Sequence, residues 1–396
     1  MEIIQANTFA AMHVAIIGGG PAGMIAADRL AETCEVHLYE QGRTLGRKFL
    51  VAGEGGLNIT NSAEDFLQHF TPSDRMRVAL NEFDPAALRT WLSDLGIPTY
   101  VGSSGRVFPE RGIKPSEVLK AIVQRLKKKG VHIHSQQRFV GFDEEARPVI
   151  EHNGSRTSIE ADRTLFALGG ASWSKTGSTG EWVAHFEAIG VRTIPFQASN
   201  CGVEVDLPEA VRVHAGKPLK NISVTVGERT IRGEATITEH GLEGNAIYPM
   251  VPLLREQLQS GGTAELILDL KPDSTLEELR AKYQDCSWNE RMAALNMDRA
   301  SVALVKAFTP KERYLAGYLA EDIKALRLSI SKLRPIEEAI STVGGISMEE
   351  VSEDFSLIKH PHLFVAGEML DWDAPTGGFL LQGAFSTGLC AAKGIV

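Results

Sequence analysis

Cysteine is scarce and scattered: Cys34, Cys201, Cys286 and Cys390 are the four in 396 residues. No Cys-x-x-Cys occurs, which excludes a zinc knuckle and a thioredoxin-type redox pair, and makes a reducing cytoplasm the expected address. No run of about 18 apolar residues exists, so no membrane-spanning helix is expected. The most apolar stretch, Val14 to Ala27, is interrupted by Gly18, Gly19, Gly20, Pro21 and Gly23. A basic excess is also missing. Lys and Arg number 41 against 50 Asp and Glu, a net charge of −9, so nothing draws the chain globally to nucleic acid or an anionic membrane. The opening MEIIQANTFAAMH carries Glu2 and no basic start, so it reads as an extension ahead of the first strand, not as a secretory leader. Internal repeats and low-complexity tracts are absent, and no metal site is expected.

What is present excludes disorder. Hydrophobic residues make up 43% and charged residues 23%, enough apolar content for an ordinary core. At about 150 residues per domain, the length implies two or three domains. Glycine, at 38 residues, is abundant, and many glycines are expected in turns where backbone approaches a ligand.

The order of patterns is informative. His13–Ile17 is a short apolar run, then a Gly-rich turn, then a helical stretch to about Glu32, then an alternating strand over Glu35–Tyr39. This is βαβ grammar. Helices are predicted over 84–96 and 114–129, each with a proline in its first turn and a glycine at its end. Lys127-Lys128-Lys129 reads as a solvated helix end. Strands are predicted at Val131–Ile133 and Ser158–Leu168. From about Pro195 the grammar changes to short alternating runs at Gly202–Val205, Ile222–Val226, Thr230–Ile237 and Leu266–Leu270, then to helical composition over 273–340. A strand at Leu363–Ala366 and a helix from Phe379 close the chain. The prediction is an α/β protein: a discontinuous Rossmann-like domain over 12–195 and 342–396, a β-rich, barrel-like insertion over 196–271, and a helical part of that insertion over 272–341.

Gly18-x-Gly20-x-x-Gly23 sits between a predicted strand and a predicted helix. The first glycine permits the tight turn, the second lets backbone approach a pyrophosphate, and the third lets helix pack on strand. The helix N-terminus then offers free N–H groups to phosphate. Glu40 ends the second strand, where its carboxylate can accept hydrogen bonds from ribose hydroxyls and disfavours a 2′-phosphate. FAD or NAD is therefore expected, not NADP. The far end of the chain favours FAD. Ala366-Gly367-Glu368 ends a strand with a carboxylate suited to ribityl hydroxyls. Thr376-Gly377-Gly378 opens a helix whose dipole suits the anionic N1–C2=O edge of reduced flavin.

These segments together resemble a shorter, divergent branch of the BaiN/RdsA-like (YhiN-like) bacterial NAD(P)/FAD-dependent flavoproteins, over nearly the whole chain after Met12. The family's Gly-Arg/Lys-Lys-x-x-x-Ser-Gly-x-Gly-Arg-Cys-Asn-x-Thr-Asn stands here as Gly46 to Asn61, with Ala52 for the serine and Gly56-Leu57 for Arg-Cys. Its Arg-Phe-Pro segment is matched by Gly105 to Pro109. Its Gly-Gly-x-Ser-x-x-x-Thr-Gly-Ser-Thr-Gly is matched by Gly169 to Gly180, and its Ala-Gly-Glu-x-Leu-Asp-x-Asp-x-x-Thr-Gly-Gly by Ala366 to Gly378. The Thr-His-x-Gly-Leu-Ser-Gly-Pro segment departs furthest, as Thr238-Glu239-His240-Gly241-Leu242-Glu243-Gly244-Asn245. The resemblance implies an FAD-dependent oxidoreductase that reduces an activated C=C or C=N bond by hydride transfer from flavin N5. NADH or NADPH would act as a transient reductant, since no second Gly-x-Gly-x-x-Gly is present.

The two readings together set non-covalent FAD against Gly18, Gly20, Pro21, Ala22, Gly23, Glu40, Gln41, Arg47, Lys48, Asn58, Thr60, Asn61, Gly169, Gly170, Gly367, Glu368, Gly377, Gly378 and Phe379. Lys48 is the first candidate for the N5 or phosphate side. Catalytic candidates are Asp373, His240 and Arg106. Asp373 supplies an acid or caps its loop; His240 is a lone histidine in a Gly-rich loop; Arg106 clamps a substrate anion or keto group, or is a turn residue. Cys201 is a buried thiol or meets a flavin adduct. The substrate is expected to be a small molecule, with no membrane and no stable protein partner. An RNA uridine reductase and a flavin electron-transfer or sensory protein are the alternatives.

Overall fold

The computed structural model describes residues 11–52, 56–102, 104–315 and 317–396. Gly53, Glu54 and Gly55 of the flavin segment lie outside the described residues. The chain divides into two compact units. One runs to Gln197 and resumes at Ser341; the other is Ala198–Ile340. Among the described residues, no helix is long and apolar enough to cross a membrane.

The first unit is built on a parallel sheet. The run beginning at His13 forms β1 (Met12–Ile17), whose last four residues are at most 2% exposed. Such burial on both faces explains its unbroken apolar character. Helix α1 (Pro21–Leu30) follows, with proline where no N–H is needed. β2 (Cys34–Glu40) returns parallel to β1, Ile17 lying opposite Tyr39. β3 (His132–Ser135) pairs outside β2 and forms the sheet edge. β4 (Arg163–Phe166) lies on the other side of β1, and β5 (His360–Val365) beyond it. A short antiparallel strand, Ser356–Leu357, completes six. The last two of these come from beyond residue 340, so the sheet needs both arms of the chain.

Two more helices fix the site. α2 (Pro115–Lys128) covers α1, and α3 (Phe379–Ile395) lies so close to α1 that a Cβ on Gly388 would sit 2.3 Å from the Ala22 carbonyl oxygen. Asp28 of α1 is 4% exposed. It accepts from Trp91 Nε1 and Arg125 Nε, each at 2.8 Å, and pairs with Lys129 Nζ at 3.0 Å. Lys129 is therefore not a solvated helix end; a buried carboxylate without such partners would be far costlier than the lysine's lost hydration.

The predicted strand Ser158–Leu168 is two strands. Ser155–Ser158 belongs to a small antiparallel sheet with Arg138–Phe142 and Pro148–His152. The chain then crosses to the main sheet, where Asp162 Oδ2 accepts from His13 N at 2.8 Å and β4 begins. One continuous strand-like run thus serves two sheets, which periodicity alone does not reveal.

The second unit holds a seven-stranded antiparallel sheet in the spatial order Leu326–Ile330, Ala264–Asp269, Pro218–Val226, Arg229–Ile237, Gly241–Glu243, Val203–Glu204, Lys332–Leu333. The predicted β-rich part contains a helix, Val251–Gly261. The predicted helical part ends its helices at Lys324 and returns two strands to the sheet. Leu326, Leu328 and Ile330 alternate inward in a segment whose Leu, Ala and Lys content reads as helix.

Candidate functional site

The site grows from the ends of the parallel strands. Gly18 N donates to Tyr39 O at 2.8 Å and holds the turn against β2. Its φ is +113°, and a Cβ there would lie 2.2 Å from Ala167 O, so no other residue fits. A Cβ on Gly23 would lie 1.9 Å from Gly18 O, which seats α1 directly on the turn. Gly20, the N-cap of α1, is different: a Cβ there meets nothing within 4 Å. The turn opens into free space at the N-cap of α1.

Glu40 is held rigidly beside it. Its two oxygens accept from Gly19 N at 2.9 Å and Gly42 N at 2.6 Å, which leaves lone pairs on each for a ligand hydroxyl. Gln41 Nε2 donates to Gly177 O at 2.6 Å and Arg47 Nη2 to Lys175 O at 2.9 Å. These two side chains tie the turn after Trp173 to the β2 end.

Lys48 Nζ binds Glu368 Oε2 at 2.7 Å and Ser172 Oγ at 2.8 Å. The other Glu368 oxygen accepts from Thr342 N at 3.2 Å. Segments from four parts of the chain thus meet at one ion pair, half-covered at both ends. The crowding explains Gly170, where a Cβ would lie 2.2 Å from Thr342 Oγ1. Gly169 O accepts from Trp182 Nε1 at 3.0 Å, and Gly367 O from Trp372 Nε1 at 2.8 Å. Pro21 and Ala22 open α1 beside Gly367, whose Cβ would come within 3.1 Å of Ala22 Cβ.

The third group surrounds the N-terminus of α3. Gly377 and Gly378 have φ of +108° and +96°, and Gly378 caps the helix. A Cβ on Gly378 would lie 2.3 Å from Thr60 O and 2.4 Å from Asn58 Oδ1. Thr60 Oγ1 donates to Gln382 Oε1 at 2.6 Å, and Asn61 Nδ2 to Gly377 O at 2.9 Å. Asn58 lies in the same place, yet both ends of its amide are buried without a hydrogen-bond partner. Arg106 stands opposite Asn61 across an antiparallel pair, and a Cβ on Gly377 would come within 3.5 Å of Arg106 Nε. Phe379 packs against Phe66 and His69, with ring centroids 5.2 and 4.5 Å away. Asp373 is 8% exposed and exchanges both backbone hydrogen bonds with Thr71.

The expected residues of the first unit therefore fall into three neighbouring groups. His240 belongs to the second unit. It is exposed, on a turn that Thr238 Oγ1 stabilises by accepting from His240 N and Gly241 N. Cys201 is buried at 1% exposure in that unit, packed with Val251 and Ala339. Sequence reasoning missed Thr342, Gln382, Phe66 and His69. Gln382 was visible as a polar residue four positions after Gly378 in an apolar helix. Phe66 and His69 carried only a helical spacing, and Thr342 carried no local signal.

A Gly-rich strand–turn–helix unit with an acid closing the second strand defines a dinucleotide-binding Rossmann protein. Beyond that class, the chain belongs to the family described as HI0933-like protein Rossmann domain, whose model matches residues 12–394. Its members are FAD-dependent oxidoreductases, and this chain is an enzyme of that kind. It is 24% identical over 405 residues to the 3-dehydro-bile acid delta(4,6)-reductase of Clostridium scindens, covering 96% of this chain and 98% of the relative. It is 23% identical over 397 residues to the ribosomal RNA dihydrouridine synthase of Escherichia coli, covering 96% and 97%. The fold is similar to that of 3-ketosteroid delta1-dehydrogenase from Sterolibacterium denitrificans, with a TM-score of 0.55 at 14% identity over 98% of this chain and 99% of that one.

Proposed function

We propose that FAD binds non-covalently along the three groups and that the enzyme reduces an activated C=C bond of a small ketone. The unpartnered Asn58 amide is the observation that carries this reading. A buried amide left unpaired costs about 1–3 kcal/mol per group, so a ligand with a complementary donor and acceptor is expected there. The pyrimidine edge of a flavin offers that N–H and C=O pair. The α3 N-terminus beside Asn58 favours negative charge on the same ring. Gly18 to Gly23 would receive the pyrophosphate, and Glu40 the adenosine ribose.

FAD held there would supply hydride chemistry at N5, with NADH or NADPH as its reductant. Arg106, beside the α3 entrance, would hold the substrate's keto oxygen and polarise the conjugated bond. Asp373 would deliver the proton. The ion pair of Lys48 and Glu368 would set the ribityl side and hold the flanking segments in register.

The relative named for a 3-dehydro-bile acid supports a ketone-conjugated substrate. The relatives named for ribosomal RNA support a second reading, a uridine of RNA, and the net charge of −9 argues against it. The test is the visible spectrum of the purified protein under anaerobic NADH and NADPH, followed by turnover on a conjugated steroid ketone and on an RNA transcript. A flavin spectrum bleached by a pyridine nucleotide and reoxidised by the ketone is the expected result. Reoxidation by RNA alone transfers the reading to RNA. A protein that takes up no flavin overturns it.

A further inference from the structure

The N-terminal half of the parallel sheet carries an unusual side-chain set. On one face, β1 presents His13, β2 presents Glu35 and His37, and β3 presents His132 and His134. The register sets them together: His13 lies opposite Glu35, and His37 opposite His132. Positions two apart on one strand share a face, and directly paired positions do too.

We propose that Glu35, His37 and His132 form a divalent transition-metal site that takes Zn2+, with water in the fourth position. One ligand atom from each of the three lies within 4.8 Å of the others. His37 Nε2 and Glu35 Oε1 are 3.2 Å apart. Two ligands on one tetrahedral zinc, each about 2.0–2.1 Å from the metal, lie about 3.3 Å apart, so this pair already has the required edge. His132 is stacked on His37, ring centroids 4.6 Å apart, and needs only side-chain rotation to close the third corner. Glu35 and His132 are exposed, so the ion has access.

Two imidazoles and one carboxylate favour zinc over magnesium or calcium, which prefer all-oxygen sets. They also leave a coordination position open.

The surroundings supply the orienting contacts such a site needs. His37 Nδ1 lies 3.0 Å from His134 Nε2. With the proton on His37 Nδ1, that contact donates to His134 and leaves the His37 Nε2 lone pair facing Glu35. The His13 ring meets His37 edge-on at 4.7 Å and fixes its tilt. A histidine ligand whose second nitrogen is held in this way has a set tautomer and ring plane.

The site is separate from the Gly-rich turn. His37 precedes Glu40 by three residues, about 10 Å along the strand at roughly 3.3 Å per residue. A metal here would join the sheet-edge strand β3 to β2 and bridge positions far apart in sequence, which is why no motif spacing revealed it.

Zinc uptake tests the proposal. The full chain is stripped with a chelator, and Zn2+ is titrated in competition with a chromogenic chelator. Thermal melting is recorded with and without Zn2+, and Co2+ absorbance reports coordination geometry. One equivalent of Zn2+ per chain, a raised melting temperature and tetrahedral Co2+ bands are expected. Glu35→Gln and His132→Gln should each weaken binding at least tenfold and abolish the thermal shift. His134→Gln should weaken it about tenfold through orientation alone. Both ligand side chains are exposed, and circular dichroism is the check that the variants fold. Absence of saturable uptake, or uptake that Glu35→Gln and His132→Gln both retain, overturns the site.

Discussion

Replacing Gly20 by alanine adds one methyl group at the mouth of the first turn. In the protein alone that methyl meets no heavy atom within 4 Å. An N-cap alanine costs about 0.5–1 kcal/mol relative to glycine, and reduced freedom of the unfolded chain returns about 0.4–1 kcal/mol. The apoprotein's stability should therefore change little. A pyrophosphate at the turn would meet the methyl, and loss of one charge-assisted hydrogen bond costs about 1.5–3 kcal/mol, roughly a ten- to hundredfold loss of FAD affinity. Gly23→Ala is the contrasting variant. Its Cβ would fall 1.9 Å from Gly18 O, so α1 must shift. Overpacking of this kind costs about 1–3 kcal/mol, against about 1 kcal/mol of helix propensity gained. Denaturant melts of the apoproteins and fluorescence titration with FAD separate the two. Gly20→Ala should lose affinity without losing stability; Gly23→Ala should lose both. FAD affinity unchanged in Gly20→Ala would refute the reasoning.

Lys48→Met removes one side of a half-covered ion pair and should lower stability by about 1–2 kcal/mol; a double-mutant cycle with Glu368→Gln, read in urea, should show the two residues to be coupled. Trp372→Phe removes one of two donors to Gly367 O, the other being Leu370 N at 3.2 Å, and should cost about 0.5–1.5 kcal/mol, measured by thermal melting. Asp373→Asn should slow steady-state turnover with melting temperature unchanged, and equal turnover would remove Asp373 from proton delivery. Asp298 caps a helix of the second unit. Burial alone would raise its carboxyl, but hydrogen bonds from Ser301 and from the Ser301 and Ala300 amides outweigh that and hold it below the usual range. Its stabilisation is therefore full above the ordinary aspartate range and lost as pH falls through the depressed folded value. Asp298→Asn should be less stable than the parent at pH 6, and the gap should close as the acid limb is reached.

Much of the first unit could be read from the sequence because its signals are local. Gly18, Gly20, Gly23 and Glu40 lie within one strand–helix–strand unit, so spacing alone gave their arrangement. Strand β1 and the α3 start at Phe379 were legible for the same reason, whereas α1 begins at Pro21, inside the stretch read as turn. Contacts between distant segments were not. Lys129 looks solvated until Asp28 is brought to it, and Thr342 has no meaning until Gly170 and Glu368 pack around it. In the second unit, Leu326, Leu328 and Ile330 alternate with a strand's period inside a segment of helix-forming composition, and the neighbouring strand Ala264–Asp269 decides the outcome. The His13, Glu35, His37 and His132 cluster was invisible because three strands contribute to it.

The two-armed sheet has a consequence for biosynthesis. Thr164 of β4 pairs with Leu363 of β5, about two hundred positions later. At roughly 5–20 residues per second, a ribosome needs about 10–40 s to cover that distance. During that interval β4 has a bare flank, and neither Glu368 nor the α3 entrance exists. On the proposed placement of FAD, its site is complete only after translation of the whole interval, and the nascent first arm is the stage at which a chaperone would find exposed strand to hold.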